Sequence, residues 1–84
     1  MKKTILLLLM GNRTETAVEV QKILTEMGCF IKTRLGIHDG TPDSCTNTGL
    51  LILELLGGED KNDELVEKLA AVDQVKVKLV EMSL

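Results

Sequence analysis

Two short apolar runs, each followed by a glycine, most constrain the fold of this chain of 84 residues. The first run covers residues 4–10 and meets Gly11, and the second covers residues 49–56 and meets Gly57. Such nearly continuous apolar runs are typical of β-strands that are buried on both faces. The first run is too short for a membrane span, which needs about 20 apolar residues, and no small-residue cleavage site of a secretory signal follows it. Both runs are therefore predicted to be buried strands of one small domain.

Each apolar run leads into a pattern with helical spacing. Residues 14–27 are predicted to form an amphipathic helix with Asn12 as N-cap, Glu15 as its partner and Gly28 as a left-handed C-cap. A second helix is predicted after Gly57, and its buried stripe comprises Leu65, Val66, Leu69, Ala70 and Val72. The two halves of the chain are therefore similar in pattern.

Two further segments alternate as half-exposed strands do. In residues 29–38 one face is predicted to hold Cys29, Ile31, Thr33, Leu35 and Ile37, with Cys29 as a small buried hydrophobe. Residues 74–82 alternate valines and a leucine with Lys76 and Lys78. The resulting order is βαββαβ, a single α+β domain over residues 1–84 with the ferredoxin-like arrangement. Its four-stranded antiparallel sheet carries two helices on one face, with the first and third strands at the centre.

The other face of that sheet is predicted to be apolar as well. Leu50, Ile52 and Leu56 are expected to point away from the helices, together with residues of the first strand. Each large apolar side chain left in water forgoes about 1.5–3 kcal/mol, and apolar patches of this size mark interfaces. We therefore expect a homo-oligomer, either a dimer or a tetramer, that uses this face, an edge strand or both.

Composition excludes several classes of function. The net charge is −3, the chain has no Trp or Tyr and a single Phe, and no basic cluster is visible, so direct nucleic-acid binding is not expected. Only Cys29 and Cys45 occur, which favours reduced thiols in the cytoplasm over a disulfide scaffold. No Ser-His-Asp or Cys-His-Asn set has supporting spacing, so neither an enzyme nor a resident cofactor is predicted.

The segment between the first strand and the first helix is the candidate ligand site. Backbone N–H groups of Gly11, Asn12, Arg13 and Thr14 could hold a carboxylate or phosphate at the helix N-terminus, with Arg13 adding a charged contact. The alternative is a tight turn with an N-cap and a solvated arginine. Arg34 and His38 share one face of an edge strand and are predicted to line the same groove across the subunit interface.

The central loop holds potential metal ligands. His38, Asp39, Asp43 and Cys45 are suitable types, but their spacing matches no compact motif, so a closed site would combine His38 and Cys45 from two subunits. The alternative is a polar turn with an incidental cysteine.

Several segments together resemble a known family. They are the apolar first strand ending in Gly11-Asn12-Arg13, the helix through Val20, Ile23 and Leu24, the segment Arg34-Leu35-Gly36-Ile37, and the closing Val75-x-Val77-Lys78. Over nearly its whole length the chain resembles the small iron-only hydrogenase system regulators. That family is similar in fold to ACT domains and to the C-terminal sensor domain of the nickel-responsive repressor.

The resemblance implies how such a domain works. ACT domains bind amino acids or other small effectors, commonly at subunit interfaces beside the loop after the first strand, which implicates Gly11, Asn12, Arg13 and Thr14. The nickel-responsive repressor uses several histidines per site, whereas this chain has one, and no ribbon-helix-helix segment precedes Thr4. Neither nickel sensing nor direct DNA contact is therefore expected.

The functional expectation combines these points. We expect a cytoplasmic, non-enzymatic regulatory domain that binds a small anionic effector such as an amino acid and relays its ligand state to a protein partner. The alternatives are a metal-binding sensor that uses His38 and Cys45 across subunits, and a structural adaptor without a ligand.

Overall fold

The computed structural model describes residues 1–11, 14–38 and 49–84, with only the backbone of His38. Its elements are β1 (Lys2–Met10), α1 (Thr14–Glu26), a 3-10 turn (Gly28–Phe30), β2 (Ile31–His38), β3 (Gly49–Leu55), α2 (Glu59–Ala70) and β4 (Val75–Ser83). The predicted βαββαβ order is confirmed.

The four strands form one sheet in the order β2-β3-β1-β4. Every neighbouring pair is antiparallel, and Leu6 lies opposite both Leu53 on β3 and Leu79 on β4. The predicted placement of the first and third strands at the centre is therefore confirmed. Both crossovers carry a helix, which is the connection expected of a split βαβ unit.

The core lies between the helices and one face of the sheet. Its fully buried side chains come from both layers: Leu6, Leu8, Val20, Leu53, Leu65 and Leu69. On the buried stripe predicted for α2, Leu65 and Leu69 are buried and Val66 is half-buried, whereas Ala70 is exposed. The prediction for Ala70 is wrong because α2 turns this last helical position toward solvent.

The opposite face of the sheet, here called the open face, is also apolar. On the central strands it holds Ile5, Leu7, Leu50 and Ile52, which are half-buried, and Leu9, whose side chain is 53% exposed. These residues alternate with the buried side chains of the core, as the two-residue period of a strand requires. Leu56 follows β3 and is 59% exposed.

The side chains of β2 do not all face the side of the sheet that was predicted. Ile31 lies opposite Leu55, but Thr33 lies opposite Glu54, so the pairing register shifts between them. This irregularity moves Thr33, Leu35 and Ile37 to the open face, where Leu35 pairs with Ile52 and Ile37 pairs with Leu50. The predicted single inward face of β2 is wrong, because one extra residue breaks the alternation.

The end of α1 also departs from expectation. Gly28 opens a 3-10 turn, and among the described residues no glycine has positive φ, so the left-handed C-cap is wrong. The Phe30 N–H donates to the Met27 carbonyl at 3.0 Å, which satisfies a helix-terminal acceptor without a left-handed residue. Cys29 lies in this turn and is exposed, so the prediction of a buried Cys29 is wrong as well.

Candidate functional site

The two strand-to-helix turns lie at opposite ends of the sheet. β1 and β3 are antiparallel, with Met10 opposite Gly49 and Ile5 opposite Glu54. The β1–α1 turn that follows Met10 is therefore far from the β3–α2 turn, residues 56–58, that follows Leu55. Each turn is a place where backbone groups at the start of a helix can meet a ligand.

At the β1–α1 turn, Gly11 is packed against the segment that precedes β4. Its N–H donates to the Gln74 carbonyl at 2.8 Å, and a Cβ at Gly11 would lie 2.6 Å from Gln74 Oε1. Gln74 is the single non-glycine residue with positive φ, 65°, in the described part of the chain. Gly11 thus serves close packing here, and its amide already has an acceptor within the chain.

The remaining residues of the predicted anion site are described only in part. Thr14 begins α1, whereas Asn12 and Arg13 lie outside the described residues. A carboxylate held by this turn and by Arg13 stays a prediction.

Thr16 ties α1 to the segment before β4. Its side chain is only 2% exposed, and its hydroxyl donates to the Asp73 carbonyl at 2.9 Å. A shallow cleft of about 560 Å³ adjoins this contact, between Glu15 and Glu19 on α1 and Lys68 on α2. The hydrogen bond of Thr16 could not be predicted from the local sequence, because its acceptor is 57 residues away.

The strand register gives the positions of the two β2 residues that were predicted to share a groove. Arg34 lies opposite Leu53 and His38 lies opposite Gly49, so both belong to the helix-covered side of the sheet. They are four residues apart, which is about 13 Å along a strand. Arg34 is exposed, and its Nη2 donates to Gln21 Oε1 on α1 at 2.5 Å. His38 lies opposite Gly49, and Gly49 lies opposite Met10, which precedes Gly11. Of the two β2 residues, His38 is therefore the one at the end of the sheet where Gly11 lies.

The β3–α2 turn borders a second cavity, of about 380 Å³. Asn62 lines it and is 8% exposed, and among the described residues its Oδ1 has no hydrogen-bond partner. A Cβ at Gly57 would lie 2.9 Å from Lys61 Cβ and 3.1 Å from Asn62 Oδ1. Gly57 therefore allows the turn to lie directly against the first turn of α2.

Two ion pairs stand at the rim of this cavity. Lys3 Nζ lies 3.0 Å from Glu54 Oε2, and Lys2 Nζ lies 3.0 Å from Glu81 Oε2. The hydrogen bond from Lys3 holds the pKa of Glu54 below its usual value. The hydrogen bond to Glu81 raises the pKa of Lys2. The two contacts therefore favour the charged forms of Glu54 and Lys2.

The internal repeat links the two turns. A spacing of 46 residues separates Gly11 from Gly57, Val20 from Val66, and also Thr16 from Asn62. Thr16 and Asn62 are therefore equivalent positions in the two halves, and both are buried polar side chains in the first turn or so of a helix. Extending the repeat by this register is the sequence signal that finds them.

The metal alternative is not tested by this structure. Cys45 and the side chain of His38 lie outside the described residues. Within residues 1–11, 14–38 and 49–84, no three His, Cys, Asp or Glu side chains group closely enough to hold a metal ion.

The helices are short. α1 has 13 residues and α2 has 12. In the part of the chain that the structure describes, no helix has the length and apolar character needed to cross a membrane.

Comparison with known proteins gives the relationships of the fold. No protein-family model matches the chain, and no curated protein matches it in sequence. Among solved structures, an uncharacterized protein from Thermotoga maritima is similar with a TM-score of 0.83 at 24% identity, covering 99% of this chain and 100% of that one.

Two further structures have informative names. The ACT domain of a GTP pyrophosphokinase from Chlorobium tepidum matches with a TM-score of 0.59 at 18% identity, covering 95% of this chain and 97% of that one. The apo form of CPII from Thiomonas intermedia, a nitrogen regulatory PII-like protein, matches with a TM-score of 0.60 at 10% identity, covering 100% of this chain and 92% of that one. Membership in the iron-only hydrogenase regulator family is not confirmed by these matches. Together with the strand order, they show that the chain has an ACT-like, ferredoxin-like fold.

Proposed function

We propose that this chain is a non-enzymatic regulatory domain that binds a small effector, self-associates and relays its ligand state to a protein partner. The observation that carries the proposal is the apolar open face, in a fold shared with an ACT domain and with a nitrogen regulatory PII-like protein. A cytoplasmic location, expected from the two cysteines, and a role in regulating an iron-only hydrogenase system, implied by the sequence resemblance, stay predictions.

Self-association is supported by the extent of the open face across all four strands. Besides the central residues, it includes Leu35, Ile37 and Met82, which are 52%, 45% and 67% exposed. Lys3 and Glu54 lie at one end of this face, and Lys76 and Lys78 lie along β4. An apolar centre with a charged rim is the usual anatomy of a protein interface. A second copy of the chain is the occupant that we propose, with Leu50 and Ile52 at the centre and Leu56 at the margin.

Effector binding is proposed at the β1–α1 turn. Backbone amides at the start of α1 and Arg13 would hold the anionic group of an effector such as an amino acid. His38 lies at the same end of the sheet, whereas Arg34 contributes only if its hydrogen bond to Gln21 is exchanged.

The contacts of this turn suggest how a signal would leave it. Gly11 bonds to Gln74, and Thr16 bonds to Asp73, so two hydrogen bonds join the turn to the segment that leads into β4. β4 in turn contributes Lys76, Lys78 and Met82 to the open face. A ligand that shifts the turn would therefore act on the surface through which copies associate.

Light scattering tests the self-association. We expect the wild type to be a dimer or larger at micromolar concentration and Leu50→Glu to shift it toward the monomer. Val18→Glu is the matched control, because Val18 is 60% exposed on α1 and away from the sheet. A monomeric wild type, or equal effects of the two substitutions, would contradict the proposed interface.

Thermal unfolding in the presence of amino acids and other small carboxylates tests the effector. We expect at least one of them to raise Tm in the wild type and to have less effect on Arg13→Ala. No stabilisation by any compound would overturn the effector part of the proposal while leaving the interface untouched.

A further inference from the structure

We propose that the outer edge of β4 binds an extended, acidic segment of the protein partner, which pairs with β4 as a further strand of the sheet. The inference rests on the proposed function, because it names the contact that the partner in that relay makes. It concerns the free edge of the sheet, whereas the proposed self-association uses the open face. Addition of a strand to an exposed sheet edge is a recurrent mode of peptide recognition.

The backbone groups of β4 divide between the sheet and its outer side. At the two ends of the β1–β4 ladder, the Gly11 N–H donates to the Gln74 carbonyl and the Leu84 N–H donates to the Met1 carbonyl, each at 2.8 Å. The pairing between these ends runs without a shift, so hydrogen-bonded pairs alternate with non-hydrogen-bonded ones along the whole strand. The even-numbered residues of β4 therefore bond to β1, and the odd-numbered ones direct their N–H and C=O groups away from it.

The outward-directed groups belong to Val75, Val77, Leu79, Glu81 and Ser83. β4 is last in the strand order, so within the described chain no neighbouring strand meets these groups. An edge strand without proline, glycine or a register shift can pair along its whole length, and β4 has none of these. β2, at the other edge, carries the register shift between Ile31 and Thr33, and such irregularities interrupt pairing. Of the two edges, β4 is therefore the regular one.

The side chains beside this edge decide which kind of strand fits. Lys76 and Lys78 are exposed, and in the described part of the chain neither forms an ion pair. They alternate with Val77 and Leu79, which are half-buried on the helix-covered side. An incoming strand that alternates acidic and apolar side chains places the acidic ones beside the two lysines and the apolar ones beside Val77 and Leu79.

A second copy of this chain does not supply such a strand. Among the described strands, the acidic residues are Glu54 and Glu81. Glu54 Oε2 lies 3.0 Å from Lys3 Nζ, and Glu81 Oε2 lies 3.0 Å from Lys2 Nζ, so both carboxylates are already paired within the chain. A different protein with an unpaired acidic segment is therefore the occupant whose charge complements this edge.

Titration with an alternating peptide tests the edge. The probe is acetyl-TVEVEVEVT-amide, which matches β4 in length, and acetyl-TVKVKVKVT-amide is the matched basic control. We expect saturable binding of the acidic peptide and no binding of the basic one. The affinity of the acidic peptide should fall as the salt concentration rises, because exposed charges are screened.

Hydrogen exchange of the backbone amides identifies the mode of binding. In the free chain we expect the amides of Lys78 and Val80 to be protected by their bonds to β1, and those of Val77 and Leu79 to exchange rapidly. The acidic peptide should slow exchange at Val77 and Leu79 by about tenfold or more and leave Lys78 and Val80 unchanged. Binding through charge alone does not produce this alternation.

Variants separate the backbone from the charges. Glu81→Pro removes an outward N–H without removing a bond to β1, whereas Glu81→Ala removes the same side chain and keeps the N–H. We expect binding about tenfold weaker in Glu81→Pro than in Glu81→Ala, as for one lost hydrogen bond. Lys78→Glu should weaken binding by at least about tenfold, and Lys22→Glu, the same charge change at an exposed position on α1, should not.

Any of four results would refute binding at this edge: no saturable binding of the acidic peptide, equal changes in exchange at odd- and even-numbered residues, equal affinities of Glu81→Pro and Glu81→Ala, or undiminished binding by Lys78→Glu. Slow exchange at Val77 and Leu79 in the free chain would also refute it, since a second copy would then already occupy the edge. These measurements need no effector. Failure here is therefore distinguishable from failure of the effector site, which is read from Tm, and of self-association at the open face, which is read from Leu50→Glu.

Discussion

The two strand-to-helix turns bury one polar side chain each, yet only one of these is satisfied. Thr16 donates to the Asp73 carbonyl, whereas Asn62, its equivalent in the repeat, has an oxygen without a partner in the described part of the chain. The backbones around them are joined in similar ways, since Gly11 N–H donates to the Gln74 carbonyl and Leu56 N–H donates to the Phe30 carbonyl. Each turn is thus held by a backbone hydrogen bond to a segment that precedes an edge strand, whereas the buried polar side chains of the two turns differ.

The difference between the two buried side chains affects the free energy of unfolding. A buried polar group without a partner costs about 1–3 kcal/mol in desolvation, whereas a formed hydrogen bond contributes about 0.5–1.5 kcal/mol. The buried polar side chain therefore stabilises the β1–α1 turn, whereas the one at the β3–α2 turn lowers the stability of the folded chain.

The largest effect is expected from filling the β3–α2 turn. Gly57→Ala places a Cβ 2.9 Å from Lys61 Cβ, an atom fixed by α2, so the helix must move. We expect a loss of about 1–3 kcal/mol in the free energy of unfolding, as for overpacked cores, measured by urea denaturation. Gly11→Ala should cost less, because the atom 2.6 Å away, Gln74 Oε1, ends a flexible side chain. Equal losses would show that the two turns are packed alike.

Removing the unmatched carboxamide should stabilise the chain. Asn62→Leu replaces a buried group without a partner by an apolar one and is expected to raise the free energy of unfolding by about 1–2 kcal/mol. Urea denaturation without added ligand measures this. Destabilisation instead would indicate that Asn62 is already satisfied, and the contrast between the turns would fail.

Thr16→Val should act in the opposite direction and more weakly. The change keeps the shape of the side chain but leaves the Asp73 carbonyl without this donor, and a loss of about 1 kcal/mol is expected. The same urea experiment gives the measurement. A gain in stability would mean that the hydroxyl has no structural role at this turn.

The smallest effect concerns the rim of the β3–α2 cavity. The hydrogen bond from Lys3 holds the pKa of Glu54 below its usual value of 4.5, so the pair stabilises the folded state above that pH and loses its contribution as the pH falls through the lowered pKa. The difference in urea midpoint between wild type and Glu54→Gln should therefore be present at pH 6 and shrink below pH 4.5. If the difference in urea midpoint stays constant with pH, the substitution acts through packing and not through the charge of Glu54.

Much of the fold could be predicted because it rests on periodicity. The apolar runs of β1 and β3 and the helical spacing of Leu65 and Leu69 indicate buried faces directly. The exposure of Cys29 could not be predicted, because it lies in a 3-10 turn of three residues. So short a segment has no periodicity that would distinguish it from the start of a strand. The register shift after Ile31 was equally invisible, since Leu35 and Ile37 continue the alternation of Ile31 in sequence.

The candidate site was harder to predict than the fold. Hydrogen-bond satisfaction depends on partners brought together by folding, as with Thr16 and an acceptor 57 residues away. Spacing within a segment carries no information on such pairs. The repeat points to Thr16 and Asn62 as equivalents, but only the coordinates show that one is paired and the other is not.

The extra residue at the start of β2 has a consequence for the composition of the open face. It shifts the register of one edge strand. The paired residues beyond Ile31 lie on the opposite side of the sheet from the side that regular alternation would give them, while the hydrogen-bonded ladder continues. Regular alternation of the same residues from Ile31 onward would instead turn Leu35 and Ile37 inward and Arg34 outward. The backbone pairing at this one position thus decides whether the edge strand adds apolar side chains or the charge of Arg34 to the open face.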